Sequence, residues 1–284
     1  MAAFDGETPG VKVPVGEVAV AAYQAVFGRL GLVLELGWVP VLVLLAARLA
    51  PDLIMDHVFS RPSVIGAKDG LDVVSLGQAA LSLLCLNAFA VRWHHVMLFA
   101  NARTVPRRLF LAGWLRFLAY AVVIYLVAIG YWAVVFFASR ALLAGGANAA
   151  TEALATVVVA LGIAVSLLLL RSSLLFPAAA SGRPLHWLDA WRLMRGNTWR
   201  AAATTFLVLM PIVIAVGLLL KHLLAAVHLD SAEGLPAQPP LGLFLLSGVV
   251  EVVLDFLFVA LVASILSEFY RRIVLRRVSG TLPR

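Results

Sequence analysis

The sequence predicts an all-α integral membrane protein: six transmembrane helices as three hairpins, with interfacial amphipathic entry helices and both termini on the cytoplasmic side (N-in/C-in). Three observations carry the prediction. Of the 284 residues 63% are hydrophobic and 13% charged, where soluble domains carry about 25% charged residues. The apolar residues are gathered in runs of about twenty, the length at which a helix rising 1.5 Å per residue crosses roughly 30 Å of hydrocarbon. Lysine and arginine, finally, fall mostly on alternate connections between those runs.

Taken in order, residues 1–16 form a polar tail with Asp5, Glu7 and Lys12. The first run, 30–50, lacks an A-x-A cleavage site at its end and is read as a retained span rather than a signal peptide. The second, 73–91, contains Cys85, the single cysteine, so no intramolecular disulfide, CxxC pair or cysteine-rich metal site is available. The third, 109–137, is long enough to tilt or to emerge from the bilayer. The fourth covers 154–176, the fifth 201–220 and the sixth 241–266. Each must be helical, because lipid offers no partner for backbone N–H and C=O groups. One six-helix transmembrane domain therefore occupies 17–278, with a short tail at 279–284.

Orientation follows from the basic residues. Seventeen lie on the side holding the N-terminus, the second and fourth connections and the C-terminus, whereas Arg48, Arg61, Lys68, Arg140 and Lys221 lie opposite. Cytoplasmic flanks keep positive charge, which gives N-in/C-in. The net charge of +7 and pI near 10.2 do not point to nucleic acid, because the cations cluster at the ends of apolar runs instead of forming one basic face. Anionic lipid headgroups are the expected counter-charge. Arginine exceeds lysine nineteen to three and alanine is abundant, a bias that points to a high-GC bacterial genome.

A sparse internal repeat underlies the hairpin reading. Pro14, Pro106 and Pro184 precede the odd-numbered spans, and proline suits a first helical turn, where its missing N–H costs nothing. Ala112 and Ala190 each follow by six residues, and Pro40 and Pro211 lie inside the first and fifth spans. Each unit reads as an entry helix followed by a hairpin. The clearest entry helix is 184–195, with Trp187, Leu188, Trp191 and Met194 on one face and Asp189 and Arg192 on another. It is expected to lie in the headgroup plane. Gly196-Asn197 supplies its stop before Thr198 caps the next span.

Four charged residues form the candidate intramembrane network. Glu251 and Asp255, spaced i, i+4 on the sixth span, share a face near the midplane, where an unpaired carboxylate costs at least about 2.5–3.5 kcal/mol. Arg171 and Arg116 are the cations expected to neutralise them. Two readings stand: a buried pair that orients helices, or a proton or cation site in a carrier. Glu35 is expected to snorkel or pair with Arg29. His94 and His95, about 100° apart on a helix, cannot ligate one metal together and read as interfacial anchors. Trp187, Trp191, Arg192, Arg195, Trp199, Arg271 and Arg272 are the candidate lipid-headgroup anchors, with Arg276 and Arg277 beyond them. His222, His228, Asp230 and Glu233 match no compact ligand motif and read as a solvated loop. HExxH, GxSxG, Walker, GxGxxG and EF-hand patterns are absent, and no soluble segment exceeds about 25 residues, too short for an ordinary catalytic domain. No cofactor, metal or catalytic residue is expected.

Two stretches carry a family resemblance. The run from Ala90 to Leu98, AVRWHHVML, resembles the AVAWHRFVLL stretch of alphaproteobacterial six-span inner-membrane proteins. His95 stands where that pattern has arginine, so no cation role passes to this position. Arg171 to Ala178 and Ala190 to Arg200 are similar to the R-x-x-L-x-x-P-A and A-W-x-L-x-[RK]-G-N-x-W patterns of the same proteins and, more distantly, of the membrane domain attached to some glycerophosphodiester phosphodiesterases. The end of span six, Phe269-Tyr270-Arg271, is similar too. This family is functionally uncharacterised, so the resemblance implies a fold and a location. The phosphodiesterase catalytic domain has no counterpart in this sequence, and its hydrolytic activity is not carried over.

Three functional readings follow: a non-enzymatic inner-membrane protein in envelope or lipid organisation or partner assembly, a small-molecule or proton-coupled transporter using the intramembrane carboxylates, and a membrane-embedded lipid-headgroup enzyme. Expected partners are the bilayer with its anionic headgroups, a membrane protein or a second copy of the chain, and no nucleic acid.

Overall fold

The structure is a computed structural model that describes residues 11–53, 73–99, 107–145, 149–229 and 241–275. Every regular element among them is helical: α1 (Val15–Phe27), α2 (Leu30–Leu53), α3 (Val73–Leu98), α4 (Arg107–Gly145), α5 (Ala149–Ser172), α6 (Leu175–Ala180), α7 (Trp187–Leu193), α8 (Thr198–Leu229) and α9 (Leu241–Tyr270), followed by a π-helical turn, Arg271–Leu275. Six helices are long and apolar enough to cross a membrane, one on each of the six apolar runs. Most overrun the predicted limits. The helix persists after the apolar run stops because its hydrogen bonds are local and continue into the interface at little cost.

The spans pack as neighbours in sequence, α2 on α3, α4 on α5 and α8 on α9. α9 is central, touching α1, α2, α3, α6 and α8. Its inward side chains include Val252, Phe256, Ala260, Leu261, Ile265 and Phe269, all buried. Most other span surfaces stay apolar and exposed, as Leu126, Trp132, Phe137, Val157 and Phe206 do, which suits lipid and not water. The densest burial lies at one end of the bundle, where α1 packs on α8 and α9, α6 on α3, α4 and α9, and α7 on α5.

α1 differs from the entry helix the sequence led us to expect. It buries Val18, Ala22 and Val26 against α8 and α9. The Val13 N–H donates to Asn197 just before α8, and the Tyr23 hydroxyl donates to the Val208 carbonyl eleven residues further on, within α8, at 2.7 Å. α1 therefore runs alongside α8 in the same direction as part of the bundle. That carbonyl neighbours Leu207, whose own i+4 donor is missing because Pro211 has no N–H.

The other entry helices also need correction. Pro106 lies outside the described residues, and α4 begins at Arg107 and runs unbroken for 39 residues, so the middle unit shows no separate entry helix after its proline. α7 exists, but Leu188 is exposed, whereas Ala190, Leu193 and Met194 are buried and Trp187 and Trp191 partly so. The inward face is thus set by small and flexible side chains at i, i+3 and i+4, not by Leu188. The chain between α5 and α7 adds a helix not anticipated, α6, which contains Pro177 in its first turns, a position proline tolerates. α4 crosses α6 closely: a Cβ on Gly113 would stand 3.0 Å from the Ala179 carbonyl oxygen.

Candidate functional site

The carboxylates of α9 meet a different cation from those predicted. Arg48, on α2, contacts Glu251 Oε1 through Nη1 at 2.5 Å and Asp255 Oδ2 through Nη2 at 2.9 Å. One guanidinium therefore spans both acids, as its planar fork allows. Side-chain exposures of 21% for Arg48, 65% for Glu251 and 33% for Asp255 put the group at the edge of the bundle. Gln78 of α3 donates to the Ala47 carbonyl beside it, at 3.1 Å. The expected partners are elsewhere. Arg171 donates through Nε to the Thr198 hydroxyl at 3.2 Å and lies over the Trp191 ring at 4.7 Å, and Arg116 is exposed on α4. Each span is legible alone, but the α2–α9 contact that brings Arg48 to the acids is not. Among the described residues no ion pair joins Glu35 to Arg29, and both are exposed.

The opposite, densely packed end holds the expected anchors, which divide into two sets. Arg192, Arg195 and Trp199 are exposed, as is Arg183. Arg272 is instead drawn inward: its Nε donates to Glu268 Oε1 at 2.6 Å and its Nη1 to Glu17 Oε2 at 2.8 Å. Arg271 pairs with the other oxygen of buried Glu268 at 2.5 Å while staying largely exposed. Trp191 lies under Arg171, and Trp187 is half-buried against the core. Arg276 and Arg277 lie outside the described residues.

A local turn fixes the exposed set. Gly196 has φ +84, a left-handed conformation that suits glycine, and Asn197 behind it is buried. The Asn197 amide donates to the Val11 carbonyl at 2.8 Å and accepts from the Val13 N–H at 3.0 Å, and Arg200 donates to the Val13 carbonyl at 2.9 Å. Residues from Val11 onward, part of the expected tail, are thus bound to the start of α8.

His94 corrects another expectation. It is 1% exposed, its Nδ1 lies 2.7 Å from the Ser267 hydroxyl, and its ring stands 5.7 Å from that of Phe117. The neighbouring Trp93 is also buried, donating to Ser264 at 2.8 Å, so this helix end is core and not interface. His95 is partly buried, 4.8 Å from the Phe99 ring. Beside His94 a cavity of about 320 Å³ opens among α3, α4, α6 and α9. Its wall includes Asn87, a polar residue of span two that the sequence reading passed over, although an asparagine seven residues before a histidine in one apolar helix is a visible signal.

Among the described residues no three His, Cys, Asp or Glu side chains are grouped to hold a metal ion. Of the loop read from His222 to Glu233, Asp230 and Glu233 lie outside the described residues, and positions 222 and 228 fall within α8. Set against family models, curated proteins and solved structures, the chain matches none.

Proposed function

We propose that this chain is a non-enzymatic, multi-pass protein of the bacterial cytoplasmic membrane whose basic end engages anionic lipid headgroups, serving envelope or lipid organisation or the assembly of a membrane partner. The observation that carries the reading is the exposed group Arg192, Arg195 and Trp199, set on a frame that buried Met194 and Asn197 hold rigid. Cations beside an exposed indole suit the membrane–water interface, where the ring sits at headgroup level and each cation gains about 1 kcal/mol near an anionic surface. A frame tied to α1 and α8 presents them without ordering cost at the moment of binding.

In this reading the spans form three hairpins, with α1, α7 and both termini on the cytoplasmic side. The segment likeness to the six-span inner-membrane family fits that placement. Converting Arg192 and Arg195 to Glu is expected to lower the anionic lipid co-purifying with the protein at least threefold, measured by lipid extraction and mass spectrometry, with the thermal unfolding midpoint held within a few degrees. Unchanged anionic lipid in a folded double variant would sink the proposal.

A further inference from the structure

Arg171, in the last turn of α5, leaves most of its hydrogen-bonding capacity unused. Its Nε donates to the Thr198 hydroxyl at 3.2 Å, and its guanidinium lies over the Trp191 ring at 4.7 Å. Thr198 in turn donates to the Met194 carbonyl at 3.2 Å, which leaves its oxygen free to accept from Arg171. Nη1 and Nη2 carry the other four of the five guanidinium N–H groups. Among the described residues they have no hydrogen-bond partner, and Arg171 pairs with no carboxylate. Both Nη atoms keep accessible surface on a side chain that is itself half-buried.

The two contacts fix which edge of the guanidinium stays open. Trp191 covers one face and Thr198 holds the Nε edge. The covalent plane places both Nη atoms on the far side of Cζ from Nε. What remains is the fork itself, the edge that takes two oxygens of one anion through parallel N–H···O bonds of about 2.7–2.9 Å. A side chain already stacked and tethered loses little freedom on binding. The surroundings favour negative charge: residues 183–200 contain Arg183, Arg192, Arg195 and Arg200 but a single acid, Asp189, which joins no ion pair among the described residues. The same place has an apolar side. α5 ends at this contact and α8 begins at it, so both spans lead away from the fork into the membrane. Eight residues along each, about 12 Å, Ile163 and Phe206 are 52% and 63% exposed.

We infer that Arg171 is the phosphate seat of one tightly held anionic phospholipid, with Trp191 and Thr198 positioning its fork and the acyl chains lying along α5 and α8. A phosphodiester at the head of two hydrocarbon chains matches a fork at the head of two apolar spans. A zwitterionic headgroup offers the same phosphate but adds an ammonium to a stretch already rich in arginine. The inference rests on the reading that this end of the protein engages anionic headgroups, and assigns within it a single stoichiometric site distinct from the exposed Arg192 and Arg195.

The test is native mass spectrometry of the full chain, released from detergent micelles and titrated with phosphatidylglycerol, which counts bound lipids one at a time. The first phosphatidylglycerol is expected to bind about tenfold more tightly than the second, and about tenfold more tightly than phosphatidylcholine with the same acyl chains. Arg171→Gln is expected to abolish that tight first step. Arg171→Lys, which keeps the charge but loses the fork, should weaken it about fivefold, and Trp191→Leu about threefold, both with the unfolding midpoint held within a few degrees. Should Arg171→Gln fail to fold, these two variants decide the matter. First-step affinity unchanged in both would overturn the inference, as would phosphatidylcholine binding as tightly as phosphatidylglycerol. Displacement of the lipid by an equal concentration of glycerophosphoglycerol, the same headgroup without its chains, would also overturn it by showing a seat for a soluble phosphate ester. The two readings fail separately. If the Arg192 and Arg195 double variant lowers total anionic lipid while Arg171→Lys and Trp191→Leu keep the first step, the single site is lost and the headgroup reading stands.

Discussion

Arg48 holds two carboxylates with one guanidinium, and the consequences differ for each partner. Glu251 is mostly exposed and Asp255 mostly covered, so the Asp255 contact is the better shielded from competing water. Removing the cation leaves two like charges one helical turn apart, a repulsion added to the lost pairing. Arg48→Met is expected to destabilise the protein by about 1–3 kcal/mol, less than the roughly 3–5 of a fully buried pair. Glu251→Gln is expected to cost under about 1 kcal/mol, as exposed pairs do. The check is a double-mutant cycle on detergent unfolding, in which Arg48→Met and Asp255→Asn together should cost less than the sum of the two. Strict additivity would show that the contact contributes nothing to the fold. The acids were legible in the sequence because a carboxylate inside an apolar run is itself anomalous. Their partner was not, because the choice among Arg48, Arg116 and Arg171 depends on which helices touch, and span composition contains no such information.

Among the elements, the turn before α8 organises more of the molecule than its length suggests. Gly196 reverses the chain, Asn197 gives both ends of its amide to the Val11–Val13 backbone, and Arg200 takes the Val13 carbonyl. The stop after α7 was readable from Gly196-Asn197, since glycine followed by a polar residue ends a helix by known geometry. The second role of Asn197 was not readable, because its partners lie 184 and 186 residues away. Asn197→Ala strands the buried Val13 N–H and removes the donor to the half-buried Val11 carbonyl, at a cost of about 1–3 kcal/mol. The expected outcome is a lower unfolding midpoint and faster proteolysis near residues 11–14, with the six spans intact by circular dichroism. Unaltered cleavage there would mean that α1 holds the segment by its apolar face alone. The same logic explains α1 itself: its apolar side predicted a helix on a surface, and the surface is the pair α8 and α9 instead of the bilayer.

At the scale of the whole molecule, the spans were legible because a run of about twenty apolar residues has few alternatives in lipid, and orientation rests on charge. The contacts refine that charge count. Arg171, Arg200, Arg271 and Arg272 are committed to Thr198, the Val13 carbonyl, Glu268 and the Glu268–Glu17 pair, and Arg48 to the α9 acids. Setting these aside leaves thirteen of the seventeen basic residues on one side and four of the five on the other, so the asymmetry persists at about three to one. Internally paired cations contribute little to the field that retains a loop. Reporter fusions after Arg284 and within 230–240 should therefore behave oppositely. A cytoplasm-active reporter is expected to work at the C-terminus and fail in the connection between α8 and α9, and a reporter active only after export should do the reverse. Moving charge provides the sharper form of the test. Three arginines inserted at 232–234 would raise the outer count from four to seven against thirteen, and the orientation should hold. If those three inverted the chain, the packed basic end would have to be too weakly charged to anchor it, and the proposed cytoplasmic headgroup contact would fail with it.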